Sequence, residues 1–253
     1  MWIACLLTVL WTGMNAPDAV PPDSATGPCL SVSVPVPSDE PNCAITGVVR
    51  YEGKPAAMRP INMDADPTCA EKHAHDPALN ESLVVGDDGG LANVFVQVTD
   101  GVPDKVYPVP ETPVTLSQAG CVYRPRVFGV RAGQTLRLLN PDGTMHNVNA
   151  MPKVNQGFNK PMDRETEQSE TVFARPEPIF PIKCDVHPWM RAYCAVMAHP
   201  FFAVTKENGA FSIAGLPPGE YTLEVWHERL GTQSTRVTVT ADATAQVDFV
   251  FAR

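Results

Sequence analysis

The clearest pattern along the chain is an alternation of apolar and polar residues with a period of two, which is typical of half-buried β-strands. It starts at residues 44–51 (AITGVVRY) and returns at residues 91–99 (LANVFVQVT). Turn residues follow each segment, with Gly-Lys-Pro after the first and Asp-Gly after the second. Residues 56–90 are polar and irregular. We therefore predict two strands separated by a long polar segment.

The same pattern continues to the C-terminus, with turn residues between short apolar runs. The 26 prolines and 17 glycines also favour a turn-rich β protein, and no segment has a convincing helical period. We predict an all-β fold and a surface loop over residues 155–170. The further strands are predicted at residues 127–130, 134–139, 171–173, 193–204 (one or two strands), 210–213, 221–226, 235–239 and 246–251.

The N-terminal segment looks like a targeting sequence. Residues 1–16 open with an apolar run that is too short to span a bilayer and lies where a signal peptide would be. The run has no basic residue before it, so a membrane anchor is the alternative interpretation. Residues 17–43, rich in Pro, Ser and Asp, are predicted to form a flexible tether. We expect a periplasmic or extracellular protein whose mature chain is not inserted in the membrane.

The formal net charge of −9 bears on possible partners. No basic patch is evident that would neutralise phosphates, so we expect no nucleic-acid partner. An acidic surface by itself favours a docking partner with a basic face.

Four residues between positions 146 and 190 form a candidate metal site. Cys184, His187 and Met190 follow one another at intervals of three residues, which allows them to face one point from a single tight loop. His146 lies upstream at a predicted strand end. Thiolate and thioether are soft ligands and imidazole is intermediate, so this set selects copper over Mg²⁺, Ca²⁺ or Mn²⁺. Two His and one Cys with a weak axial Met is the blue-copper arrangement.

These motifs resemble the cupredoxin family, with a short ligand loop of the amicyanin type and a Greek-key sandwich over about residues 120–204. The resemblance implies one copper ion cycling between Cu(I) and Cu(II), with His146, Cys184 and His187 as equatorial ligands and Met190 as axial ligand. It also implies that Asn147 hydrogen-bonds toward the Cys loop. A binuclear site would need a second Cys in that loop, and a multicopper oxidase would need several His-x-His pairs; the sequence has neither.

The two ends of the chain resemble the carboxypeptidase regulatory-like (transthyretin-like) sandwich. The resemblance rests on the strands at 44–51 and 91–99 and on the Gly-Leu-Pro-Pro-Gly-Glu-Tyr segment that starts at residue 215. Neither end holds enough strands for a sandwich alone. We infer one sandwich split over residues 44–104 and 200–253, with the cupredoxin domain inserted at 105–199; two separate incomplete domains are the alternative. The whole also resembles an exported bacterial family labelled methylamine-utilisation-like.

The remaining cysteines suggest a disulfide, since an exported chain can keep one. Our first choice is Cys69 with Cys121, our second is Cys29 with Cys43, and the spacing does not settle the connectivity. We expect Cys194 to be a buried, inert thiol.

Other histidines and methionines could also bind metal, but we expect most of them to be structural. His73 and His75 are assigned to a solvated loop, with a minor metal site as the alternative. His199 and His227 are assigned to packing or hydrogen bonding. Apart from Met190, the methionines are assigned to core or loop positions.

We therefore predict an exported mononuclear blue copper protein that carries one electron between redox partner proteins. The alternatives are a copper storage or delivery protein, or an extracellular structural or binding module with an auxiliary copper site. We do not expect an enzyme, because no nucleophile–base pair is evident.

Overall fold

The computed structural model describes residues 43–252; the predicted signal segment and nearly all of the predicted tether lie outside them. The fold is all-β apart from one short helix, which the sequence did not reveal. The sixteen strands and the helix are β1 (Ala44–Glu52), α1 (Pro67–Lys72), β2 (Phe95–Asp100), β3 (Val114–Ser117), β4 (Val127–Arg131), β5 (Thr135–Leu139), β6 (His146–Ala150), β7 (Phe158–Met162), β8 (Gln168–Val172), β9 (Glu177–Lys183), β10 (Arg191–Met197), β11 (Phe202–Val204), β12 (Ala210–Ala214), β13 (Gly219–His227), β14 (Gly231–Val239), β15 (Thr244–Gln246) and β16 (Phe249–Ala252).

Strands from both ends of the described chain form one pair of sheets. In the first sheet β1 pairs with β12, β15 and β16, and the second has the order β11-β2-β13-β14. Alternate residues of β1, including Ile45 and Val49, point into a core shared with Phe211, Leu223 and Phe251. The N- and C-terminal strands therefore bury their apolar faces against each other. The domain boundaries drawn from the sequence stay a prediction.

The last predicted strand is interrupted beside a close backbone contact. The predicted strand at 246–251 is broken between β15 and β16, where Val247 lies opposite Gly47. A Cβ atom on Gly47 would lie 1.8 Å from the Val247 carbonyl oxygen, so only glycine allows the two backbones to approach this closely.

The middle of the chain forms a second pair of sheets. The five-stranded sheet has the order β4-β10-β9-β6-β7 and the three-stranded sheet the order β3-β5-β8. Leu136 and Leu138 of β5 pack against Val148, Ile182 and Ala192 of the larger sheet in a separate core. His146 begins β6 of the five-stranded sheet, and the other three candidate ligands lie in the loop between its strands β9 and β10.

The prediction of a surface loop over residues 155–170 is wrong, because β7 and the start of β8 lie there. Both are edge strands, and apart from Met162 none of their side chains is fully buried, so they show little apolar alternation. Pro161 within β7 also argues against a strand from sequence alone, although an edge strand tolerates it.

The long polar segment before β2 packs onto the second pair of sheets instead of remaining solvated throughout. Its helix α1 starts at the N-cap Asp66, whose carboxylate accepts a hydrogen bond from the Cys69 amide at 3.0 Å. Cys69 forms a disulfide with Cys121, which confirms that pairing. The alternative pairing involves Cys29, which lies outside the described residues.

The two pairs of sheets also contact each other directly. Phe95, Val127, Ala195 and Met197 form a small buried cluster between them. Beside it, Arg126 forms an ion pair with Glu228 through both Nε and a terminal guanidinium nitrogen. Within residues 43–252, no helix is long and apolar enough to cross a bilayer.

Candidate metal centre

The candidate ligands come together at one end of the five-stranded sheet. Cys184 directly follows β9, and the loop 184–190 leads into the antiparallel strand β10. His146 is the first residue of β6, which pairs with β9 in the register Asn149 to Lys183. An antiparallel register of this kind places the start of β6 beside the residues that follow β9.

Three of the four predicted ligands converge through their donor atoms. The Nδ1 atoms of His146 and His187 lie 2.8 Å apart, and Nδ1 of His187 lies 4.0 Å from the Cys184 sulfur. One donor atom from each of the three residues lies within 4.8 Å of the other two. Exposure is 0% for His146, 3% for Cys184 and 2% for His187, so the cluster is closed to bulk water.

Met190 belongs to the same buried loop. Its side chain is 1% exposed and lies in the hydrophobic cluster that also contains Cys184. Its amide donates to the His187 carbonyl at 2.9 Å, and its own carbonyl accepts from the Cys184 amide at 3.3 Å. These bonds close the loop into a tight turn that holds both ends of the motif.

Asn147 fixes this loop to β6. Its side-chain oxygen accepts from the Asp185 amide at 2.7 Å and lies 3.3 Å from the Cys184 sulfur, which donates to it as a thiol. Its side-chain nitrogen donates to the Asp185 carboxylate at 3.0 Å. The hydrogen bond from Asn147 to the Cys loop is therefore confirmed.

A carboxylate lies at the outer nitrogen of each candidate histidine ligand. Nε2 of His146 is 3.0 Å from Asp142, and Nε2 of His187 is 3.1 Å from Asp66. A histidine whose outer nitrogen donates to a carboxylate has its ring orientation fixed and binds a metal through the other nitrogen with higher basicity. Neither carboxylate was predicted from the sequence.

Both aspartates are themselves held in place. Asp142 accepts from the amides of Gly120 and Cys121 at 2.8 and 2.7 Å. Its spacing of four residues before His146 was the only sequence signal for its role. Asp66 is the cap of α1 and lies 80 residues before His146, so no local motif indicates it.

The electrostatics of the site follow from burial and these hydrogen bonds. Burial raises the pKa of the Cys184 thiol, but hydrogen bonding with His146 and with backbone amides outweighs this, so the net pKa lies below its usual value. The bond to Asp142 likewise outweighs burial and raises the pKa of His146, while burial lowers the pKa of His187. For Asp142, hydrogen bonds overcome burial and lower the pKa to about 2. The lowered pKa favours the thiolate form of Cys184, which is the form that binds a metal.

Two other groups of metal-binding residue types occur in the described part of the chain, but neither can serve in the same way. One contains Cys69 and the other Cys121, and both sulfurs are consumed by the disulfide. The trio of His146, Cys184 and His187 is therefore the group that offers a thiolate.

The remaining histidines have structural contacts. Nε2 of His73 lies 2.7 Å from the Gly120 carbonyl, so His73 is half-buried rather than fully solvated, while His75 is exposed. His199 accepts from the Phe201 amide and His227 from the Arg229 amide, both at 3.2 Å, which confirms their hydrogen-bonding assignment.

The remaining thiol and the methionines also match their assignments where the structure describes them. Cys194 is a fully buried thiol whose pKa burial raises far above its usual value. Met162 and Met197 are buried, and Met145 and Met151 are exposed.

Comparison with solved structures gives partial similarities. A copper-containing nitrite reductase from Thermus scotoductus SA-01 is 20% identical over 40% of this chain and 25% of that chain, with a TM-score of 0.32. A Cu(I) form of a mutant amicyanin is 18% identical over 40% of this chain and 98% of that chain, with a TM-score of 0.31. A purple cupredoxin from Nitrosopumilus maritimus is 22% identical over 33% of this chain and 99% of that chain, with a TM-score of 0.28. The chain thus spans a quarter of the nitrite reductase.

Sequence comparison adds one match. A search of curated proteins gives no significant similarity. Residues 196–252, from the end of β10 to β16, match the family model of the carboxypeptidase regulatory-like domain.

Proposed function

We propose that the protein binds one copper ion through His146, Cys184, His187 and Met190 and carries one electron by cycling between Cu(I) and Cu(II). One observation carries the proposal. The Nδ1 atoms of both histidines, 2.8 Å apart, and the Cys184 sulfur converge in a closed site, with one donor atom from each residue within 4.8 Å of the others.

The donor set favours copper over other common ions. Two imidazole nitrogens and one thiolate in a plane, with a weak thioether above it, form the blue-copper arrangement. Zinc would take the same nitrogens and the sulfur but has no particular preference for a distant thioether. Met190, buried in the ligand loop, therefore supports copper.

The enclosure of the site favours electron transfer over the other candidate functions. All four proposed ligand side chains are at most 3% exposed. A substrate needs an open coordination position, and copper delivery needs a ligand that a partner can reach. We therefore propose that the protein is an electron carrier. Enzymatic activity, copper storage and copper delivery are the less favoured functions.

We also propose that the protein is exported and works with redox partner proteins in an oxidising compartment. The disulfide Cys69–Cys121 supports this, because such bonds persist mainly outside the cytosol. A thiol titration of the protein extracted without reductant tests the proposed compartment. Reactive thiols at Cys69 and Cys121 would contradict it.

A metal titration tests the copper proposal directly. Adding Cu(II) to the metal-free protein is expected to produce an intense visible thiolate-to-copper band at one equivalent, and Cys184→Ser is expected to abolish it. Cys194→Ser is the matched control, because Cys194 is equally buried but lies outside the donor cluster. A weak spectrum that Cys184→Ser leaves unchanged would overturn the proposed site. Reversible one-electron voltammetry then tests the carrier function.

A further inference from the structure

None of the proposed ligands reaches the surface, so an electron must leave the centre through another group. His146 is fully buried, and the Cys184 and Met190 side chains lie in the hydrophobic core. His187 has its outer nitrogen covered by Asp66 at 3.1 Å and by the disulfide sulfur of Cys69 at 3.8 Å. The edge of a ligand ring is therefore not available to a partner.

Trp189 links this enclosed centre to the surface. It lies within the ligand loop, between two proposed ligands, and its ring centroid is 4.9 Å from that of His187. Its indole N–H donates to the Cys121 carbonyl at 3.0 Å, which fixes the ring orientation. The side chain is half-buried and lines an open groove of about 490 Å³. It is thus in contact both with a proposed ligand and with a surface cavity.

The groove is positively charged on an otherwise acidic chain. Arg59, Arg126 and Arg191 line it together with a single acidic residue, Glu228, which is the ion-pair partner of Arg126. An adjoining cavity shares Arg59 and adds Arg229. Arg59 and Arg191 are exposed, and neither forms an ion pair within residues 43–252. The chain as a whole has a formal charge of −9, so this region reverses the overall sign.

We propose that Trp189 is the electron-transfer contact of the protein and that the groove beside it, lined by Arg59, Arg126 and Arg191, docks an acidic face of a one-electron redox protein. The inference rests on the proposed function. One electron leaves the reduced centre through the indole and reduces the partner's oxidised group by one electron, and no bond or proton is transferred. The net charge alone would favour a basic partner, but the groove at the contact point favours an acidic one.

The charge of the groove can be tested on the metal-free protein. Iodide and caesium quench exposed tryptophan fluorescence, and the difference between the wild-type protein and Trp189→Phe isolates the contribution of Trp189. Iodide is expected to quench Trp189 more strongly than caesium. Arg59→Glu/Arg191→Glu should reverse that preference, whereas Arg236→Glu, on β14 and outside the lining of both cavities, should not. Equal quenching by both ions, unchanged by the double reversal, would overturn the proposed docking surface.

Electron exchange of the copper-loaded protein tests the route. Hexacyanoferrate(III) is expected to oxidise the reduced protein at least about tenfold more slowly after the double charge reversal at low ionic strength, and a cationic tris(phenanthroline)cobalt(III) complex faster. Trp189→Leu is expected to slow both reagents while the visible band persists, and Trp189→Phe to retain most of the rate. An unchanged rate in Trp189→Leu with an intact band would overturn the route. A protein that shows no band, or exchanges no electrons with either reagent, would instead refute the proposed function.

Discussion

The Asp66 carboxylate lies 3.1 Å from Nε2 of His187, the ring nitrogen opposite the one that approaches the Cys184 sulfur. This contact joins the polar segment before β2 to the ligand loop of the second pair of sheets. His146 has the matching contact with Asp142 at 3.0 Å. Both proposed histidine ligands are therefore oriented by carboxylates, and the added negative charge is expected to favour Cu(II) over Cu(I).

Asp66→Asn should raise the reduction potential of the copper-loaded protein. The variant removes the charge but keeps a polar side chain at the cap of α1. Loss of a carboxylate behind a metal-bound histidine costs about 10–100-fold in metal affinity. If the variant weakens the binding of Cu(II) more than the binding of Cu(I), the reduction potential rises. The rise is roughly 60 mV for each factor of ten between the two losses of affinity in a one-electron couple.

Voltammetry of Asp66→Asn and of the control Asp64→Asn measures this effect. Asp64 is exposed and lies in the same segment. A potential that is the same in both variants would contradict a tuning role for Asp66.

Removing the disulfide should weaken the fold and loosen the cover of the site. Cys69 and Cys121 are separated by 52 residues, so the cross-link restricts a long loop in the unfolded chain. Cys69→Ala/Cys121→Ala is expected to lower the free energy of unfolding of the metal-free protein by roughly 2–4 kcal/mol in urea titrations.

The same disulfide variant offers a second measurement. Its electron exchange with small reagents should become faster, because His187 loses part of its cover. Wild-type protein whose disulfide has been reduced should match the variant in stability. If neither reduction nor removal of the disulfide changes the midpoint of urea unfolding, packing alone holds the polar segment in place.

Stability should fall in mildly acidic solution because of His227. Burial, partly offset by Glu228, lowers the pKa of this side chain to about 4. The unfolded value is about 6.5, so the unfolded chain binds the proton more tightly than the folded one between these two values. The contribution of neutral His227 is fully present above pH 6.5 and is lost as the pH falls toward 4.

Substitution of His227 isolates this effect. His227→Asn keeps a neutral hydrogen-bond acceptor for the Arg229 amide, so it should remove on the order of 1–3 kcal/mol of the pH-dependent loss in urea titrations between pH 7 and pH 4. His75→Asn, at an exposed position, should leave the pH profile unchanged. Parallel profiles for the wild-type protein and His227→Asn would contradict the assignment.

A cut between the two pairs of sheets should not separate the fragments. Val106 is 94% exposed, so trypsin is expected to cleave after Lys105. Because the Cys69–Cys121 disulfide would link the two fragments covalently, the cut is made in the variant Cys69→Ala/Cys121→Ala. Its fragments should then elute together under native conditions, because β1 and β2 pair with strands of the C-terminal fragment. Gel filtration followed by denaturing electrophoresis measures this. Two fragments that elute separately and stay folded would favour two independent domains over a split sandwich.

The sequence by itself indicated most of the strands and all four candidate ligands. Strands with one buried face alternate in polarity, and Cys184, His187 and Met190 lie so close in the chain that a single turn must bring them near each other. Such features depend on short-range geometry, which the order of residues specifies. The hydrogen bond from Asn147 to the Cys loop was expected only from the resemblance to the cupredoxin family.

The tertiary structure decided what surrounds those ligands. Asp66 reaches His187 across 121 positions because a disulfide and a helix cap hold its segment over the site, and neither leaves a periodic signal. The edge strand β7 and the start of β8 were hidden because Met162 is their only fully buried residue, so they show little apolar alternation. The groove beside Trp189 likewise gathers Arg59, Arg126 and Arg191 from distant positions. Long-range packing, which no local spacing encodes, determines how the proposed centre is closed and where a partner can reach it.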